Sequence, residues 1–278
     1  GKFDQYKGID ALVVHTGALV HQVKRRYDVQ RSSRDADRRR TFQCAPQLIK
    51  SFEPMTVVLT AEAPRDDDIE TYLELETELA GMGYSTQARV FNTAEHGDYV
   101  EADVWVLTAT KGTTALKWPE ANSSFPGLAP ILTDERAVPP ADFFDDVEAT
   151  RMRKYNESSA PCRSLKLRSY LSADGKIDQP GTRVYDPAHP LPVPTPYPDE
   201  LGRANGLVAG LLGDRAVSST EAAKARGAEG DELERLLNLP FVDQWPLLSR
   251  TVGKATMKAV LVSVSSALLS PSSLKPPT

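Results

Sequence analysis

Short apolar runs, separated by an amphipathic helix, constrain the fold of this chain more than any other feature. Ile9 to Val14 (Ile-Asp-Ala-Leu-Val-Val) has the length and β-branched content of a buried strand. Met55 to Leu59, just after Pro54, reads the same way. Tyr84 to Asn92 alternates and Val104 to Ala109 is mostly apolar, so two further strands are predicted. Between the second and third runs, residues 66 to 82 read as an acidic helix. Ile69, Leu73, Leu79 and Met82 fall on or near one stripe, with Asp67, Asp68, Glu70, Glu74 and Glu78 largely off it. Asp66 to Asp68 complement the helix dipole, and Gly81 or Gly83 is the expected stop. With the basic stretch between the first two runs counted as a helix, the order strand, helix, strand, helix, strand, strand predicts the second half of an open α/β sheet with crossover helices on its faces.

The remainder has a different texture. Leu116 to about Tyr197 is aromatic and Pro-rich, with seven prolines from Pro180 to Pro198, and is expected to form a separate irregular region. Helical patterns return at Ser219 to Arg226, with Ser218 or Ser219 as N-cap and Glu221 near the first turn, and at Asp231 to Leu237 before Pro240. Val252 to Leu269 carries Met257, Val260, Leu261, Val264 and Leu268 at helical spacing. The Ser/Pro/Lys tail after Ser270 is expected to be disordered.

Composition narrows the function classes. Gly and Pro together make 38 of 278 residues, which suits a mixed fold with long connections. No window approaches the roughly 18 apolar residues of a bilayer-crossing helix. The net charge of -5 does not draw the chain as a whole to nucleic acid or anionic membrane, so any such contact must be local. Cys44 and Cys162 make neither a disulfide framework nor a CxxC metal cluster, and each is expected to be a buried small side chain or an unreactive thiol. The start at Gly1 shows no signal-peptide pattern, which implies either a removed presequence or an incomplete reading of a longer chain.

One segment is strongly basic. Lys24, Arg25, Arg26, Arg31, Arg34, Arg38, Arg39 and Arg40 stand against three Asp, a local charge of +5, with Tyr27 and Phe42 nearby. Such a run can follow a phosphate backbone. The interleaved Asp28, Asp35 and Asp37 equally suit local ion pairs or a solvated helix face. There is no GxGxxG, P-loop, HExxH or GxSxG motif. His15 and His21 read as polar residues after a strand end rather than metal ligands, and Glu95-His96 beside Asp98 reads as a surface turn.

Taken in order, the segments resemble the cytosine-C5 DNA methyltransferase family. Ile9 to Gln22 is similar to the strand and loop bearing that family's Pro-Cys-Gln nucleophile, and Pro54 to Pro64 to its Glu-Asn-Val strand. Leu75 to Gly97 resembles the helix, Gly-Tyr turn and strand that lead into its Gln-x-Arg-x-Arg motif. "LKWPE" and "PILTDERAVP" look like the entry to the target-recognition region, and "GTRVYDPAHPLPVPTPY" like its exit. "SSTEAAKARG" and "LLSRTVGKATMKAVLVSV" resemble the closing segments. The likeness covers about residues 9 to 269.

The resemblance implies a chemistry whose key positions are altered here. In the family a Cys thiolate adds to a flipped cytosine, a Glu holds N3 and an Arg pair steadies the base. Ala18 occupies the nucleophile slot, and Thr60-Ala61-Glu62 stands at the Glu-Asn-Val position, so only a two-residue slip gives Glu62 the acid's place. Val100-Glu101-Ala102-Asp103-Val104 replaces the Arg-bearing motif, and Lys254 follows Gly253 where the family has Asn. The Gly-rich turn that cradles AdoMet would lie upstream of Ile9, so no complete cofactor pocket, and no cofactor, is expected.

The resulting expectation is an α/β protein with a partial, Rossmann-like AdoMet-methyltransferase sheet and an irregular, Pro-rich insertion. Residues 1–118 form the partial α/β domain, 119–204 the target-recognition-like region, 205–269 a return to the α/β domain and 270–278 a tail. A pseudoenzyme follows, one that is not catalytic and acts as a structural or scaffolding subunit of a stable protein complex. The family offers a precedent in an inactive regulatory member that binds active relatives. The alternatives are an RNA- or DNA-binding accessory protein using segment 24–40, or one half of a split cytosine-C5 methyltransferase.

Overall fold

The apolar runs near the start of the chain become strands in the computed structural model. It describes residues 8–15, 44–64, 69–112, 116–122, 124–137, 152–154, 166–170, 183–185, 187–193, 207–208, 215–240, 243–244, 247–248 and 252–269. The chain divides into two compact units. The first comprises residues 1–92, 103–120 and 256–278, and the second residues 93–102 and 121–255.

The first unit is built on a four-stranded sheet. Its strands are β1 (Ala11–His15), β2 (Thr56–Glu62), β3 (Tyr84–Asn92) and β5 (Asp103–Lys111), in the order β1-β2-β5-β3. β1 is parallel to β2, while β5 runs antiparallel to both β2 and β3. Side chains alternate across a strand. One face of the sheet therefore carries Val57, Leu59, Ala61, Trp105, Leu107 and Ala109, all buried. Helix α1 (44–52) lays Ala45 and Ile49 on that face, and α2 (Ile69–Gly81) adds Tyr72, Leu75 and Leu79. Trp105 meets the Tyr72 ring edge-on at 4.7 Å between centroids.

The stripe of α2 differs from its sequence reading, because Ile69 and Leu73 are exposed. Tyr72, Leu75 and Leu79 follow the same helical spacing one turn-edge over. The Tyr72 hydroxyl also finds the Glu62 carbonyl at 2.6 Å, which lets a polar-tipped ring enter the core. Gly83, with φ +85°, ends the helix as expected, its N–H bonding to the Ala80 carbonyl. Glu53 plays the same role after α1 at φ 49°, and Pro54 follows it.

The opposite face of the sheet is rich in hydroxyls. Ser85, Gln87, Thr108 and Thr110 line a shallow depression closed by Leu116 and by Val264, Ala267 and Leu268 of helix α5 (Lys254–Leu268). Val260 and Val264 are the buried apolar residues of that helix, whereas Leu261, expected on the same stripe, is 37 % exposed. No helix among the described residues is long and apolar enough to cross a membrane.

The second unit contains the region expected to be irregular, and it is partly a sheet. Short strands β6 (Met152–Lys154), β7 (Lys166–Tyr170), β8 (Arg183–Tyr185), β10 (Leu207–Val208) and β11 (Arg215–Ala216) form a sheet in the order β11-β10-β8-β7-β6. Strands of two to five residues carry too few positions to show a period-two pattern. β4 (Val100–Glu101) pairs in parallel with β9 (Leu191–Pro192). Two helices follow, α3 (Ser219–Ala225) and α4 (Gly230–Leu237). Ser218 caps α3: its hydroxyl accepts from Glu221 N–H while the Glu221 carboxylate accepts from Ser218 N–H.

Candidate functional site

The parallel strands β1 and β2 end side by side, and open α/β sheets place ligands beyond the carboxyl ends of such strands. In the first unit His15 ends β1 directly opposite Thr60, and its Nδ1 lies 2.8 Å from Thr60 Oγ1. Thr60 is buried, so its hydroxyl is a fixed partner that serves either imidazole tautomer. Glu62, the half-buried last residue of β2, lies on the same face two residues further on. Asp103 begins β5 beside it, exposed, with Oδ1 accepting from Asn92 Nδ2 at 3.3 Å. The Ala63 N–H bonds to the Asp103 carbonyl at 3.2 Å and ties these two strand ends together. An imidazole, a hydroxyl and two carboxylates thus share one end of the sheet, a set able to donate and accept hydrogen bonds.

β2 runs to Glu62 in unbroken register with β5. The two-residue offset between Thr60 and Glu62 therefore keeps both on one face and separates them by roughly 7 Å along the strand. Of the other sequence-derived positions, Glu101 is half-buried in β4 of the second unit. Lys254, the first residue of α5, is exposed, with its Nζ 3.9 Å from Glu232 and its N–H bonded to the Arg226 carbonyl. Ala18 and the eight cations Lys24 to Arg40 lie outside the described residues, as does Cys162. Cys44 is exposed, not buried, at the first described position of α1. Among the described residues no three His, Cys, Asp or Glu side chains gather as metal ligands.

The second unit buries charged groups whose burial no local pattern marks. Asp98, expected in a surface turn, is buried, and its Oδ1 accepts the Ala255 N–H at 3.0 Å. The carboxylate packs so closely on Gly253 that a Cβ there would land on it. Arg226 is buried nearby, and none of its three side-chain nitrogens has a hydrogen-bond partner among the described residues. Burial lowers its guanidinium to about 10, against the pull of the Asp98 charge.

Arg215 and Glu221 form a better satisfied pair. Arg215 Nη2 and Nη1 lie 2.7 and 3.0 Å from the two Glu221 oxygens, which also accept from Thr133 and Ser218 N–H. Burial pushes the Glu221 carboxyl up, but the Arg215 hydrogen bonds and those backbone donors outweigh it and hold the group below the ordinary carboxylate range. The Ser-x-x-Glu spacing was the visible signal for half of this network. Nothing local marked Arg215 as its partner.

No family model matches the sequence, and no curated protein matches it. Solved structures do. A methyltransferase of Entamoeba histolytica, EhMeth, superposes with a TM-score of 0.63 at 8 % identity, covering 94 % of this chain and 78 % of that one. The Dnmt2 methyltransferase of S. pombe gives 0.59 at 11 % identity, over 92 % of this chain and 76 % of that one. A variant of Spodoptera frugiperda DNMT2 gives 0.54 at 9 % identity, over 92 % and 78 %. The α/β methyltransferase-like fold is therefore established. The expectation that the chain is not an enzyme does not stand. The structures it resembles are methyltransferases, and Ala18, on which that expectation rested, is outside the described residues.

Proposed function

We propose that this chain is a methyltransferase-fold subunit of a larger protein assembly, in which a strand from a partner chain pairs along β1. The observation that carries the reading is β1 itself. Parallel strands are ordinarily covered on both faces. Here the burial of β1 alternates between half-buried and exposed, Val13 keeps 50 % of its surface, and no described residue pairs with the outer edge. An apolar edge of this kind is a template for further pairing.

The cations Lys24 to Arg40 are the proposed contacts to nucleic-acid phosphates or to the partner. The fold implies S-adenosylmethionine as a methyl donor. The described residues include no glycine-rich strand-to-helix turn to cradle it, so by themselves they do not fit that cofactor.

The test is the native mass of the protein from its source, by size exclusion with light scattering, with and without nuclease. A mass well above 30.4 kDa that survives nuclease, and falls in a Val13→Lys variant that still folds, is the expected result. A monomer in both conditions overturns the reading. Collapse on nuclease treatment overturns it in favour of nucleic-acid binding through segment 24–40. Labelled methyl transfer by the purified assembly would identify the chain as one part of a split methyltransferase.

A further inference from the structure

We propose that α4 and the turn after it form a docking surface for a basic amphipathic segment of a partner chain; the proposal rests on the assembly reading above and gives that partner its chemistry. In α4, Leu233, Leu236 and Leu237 follow the i, i+3, i+4 spacing of a helix that packs into a core. None of the helix residues is buried. Leu233 and Leu236 are half-buried, whereas Leu237 and, just past the helix end, Leu239 keep 36 and 37 % of their surface.

The surface is held in a fixed form. Gln244, itself buried, donates from Nε2 to the Leu239 carbonyl at 2.9 Å and the Leu237 carbonyl at 3.3 Å. The Asn238 N–H closes on the Glu234 carbonyl at 3.0 Å, and the Asp243 N–H on that of Pro240 at 2.8 Å. Leu237 and Leu239 are thus presented on a tied backbone, which removes much of the ordering entropy that binding would otherwise oppose.

Charge selects the occupant. On a helical projection at about 100° per residue, Glu232 and Glu234 border the leucine stripe on its two sides. Asp231 and Glu229 are also exposed, and Arg235 lies on the far face. Among the described residues Lys254 pairs with Glu232, at 3.9 Å, with both side chains largely in solvent. An apolar stripe bordered by carboxylates fits a segment whose own apolar stripe is bordered by Lys or Arg, and repels an acidic one.

The experiment uses the full chain and two model peptides, one of leucine and lysine and one of leucine and glutamate, both amphipathic helices. Fluorescence anisotropy is expected to show the lysine peptide binding, more weakly as salt rises, and the glutamate peptide not binding. Leu237→Glu should weaken the lysine peptide by about tenfold or more, the effect of one buried leucine. Glu232→Lys with Glu234→Lys should reverse the preference between the peptides. Equal binding of both peptides, or the same affinity in the charge-reversed variant, overturns the proposal. A benzophenone side chain at position 239 in the native assembly should cross-link to a Lys- or Arg-flanked apolar segment of another chain. Cross-links only within this chain, or to a second copy of it, overturn it too. Native mass separates the two readings: an assembly sensitive to Val13→Lys but not to Leu237→Glu removes this proposal and leaves the β1 reading. A monomer with charge-selective peptide binding does the opposite.

Discussion

The sheet unit and the second unit bury different chemistry. Around β2 and β5 the core is Val57, Leu59, Leu107, Ala109 and their neighbours, with the aromatic pair Tyr72 and Trp105 as its largest members. In the second unit, buried Arg215, Glu221, Asp98 and Arg226 stand among small apolar residues such as Ala222, Ala223 and Ala225. Apolar burial is non-directional and roughly proportional to area, so each residue contributes whatever its exact neighbours are. A buried charge is stabilising only while its partner is present, because the lone survivor has lost its water. The first unit should therefore yield gradually to substitution, and the second abruptly.

The sharpest test of that contrast is Glu221→Ala, which strands the Arg215 guanidinium and removes the α3 cap. A loss of about 3–5 kcal/mol is expected, read by hydrogen exchange of α3. The pair also has a pH signature. A carboxyl held low in the folded state contributes stability that is fully present above the ordinary carboxylate pKa and is lost as pH falls through the folded value. The advantage of the parent over Glu221→Gln should then be constant near neutrality and shrink on acidification below about pH 4.5. Leu107→Ala, in the sheet, should cost roughly 2–5 kcal/mol by the cavity it leaves, with no such acid dependence. An acid-dependent loss in Leu107→Ala would break the comparison.

Gly253→Ala should come next, at about 1–3 kcal/mol, since the added methyl must displace a carboxylate already bound to Ala255 N–H. Exchange at the start of α5 would report it, and wild-type protection there would show that Asp98 moves freely. Lys117→Ala should do least, under about 0.5 kcal/mol, because the Lys117–Glu120 pair at 3.9 Å is almost wholly in solvent. A larger loss would mean that the surface of the first unit carries electrostatic stability as well.

Legibility in the sequence followed the same division. Tyr84 to Asn92 was readable to its ends because alternation and a left-handed Gly83 act within a few residues. The helix at 69–81 was visible, but its buried stripe was not, since Tyr72 enters the core only by reaching a carbonyl on β2. Asp98 sits beside Gly97 in what reads locally as a surface turn, and it is buried by groups far along the chain, Gly253 and the Ala255 N–H more than 150 residues away. At the strand ends, Glu62 was singled out from the resemblance. His15 reads locally as a polar residue after a strand, and its bond to Thr60 depends on a parallel register between segments 45 residues apart.

By itself, then, the sequence determined the strands of the first sheet, the helices at 69–81, 219–225 and 254–268, the Ser218 cap and the α/β class. All of these rest on periodicity and on residues within one helical turn or strand of each other. Tertiary structure alone decided which charges are buried together, which strand is left at the edge and which leucines stay in solvent. Those outcomes depend on which distant segments become neighbours, and no local pattern carries that information.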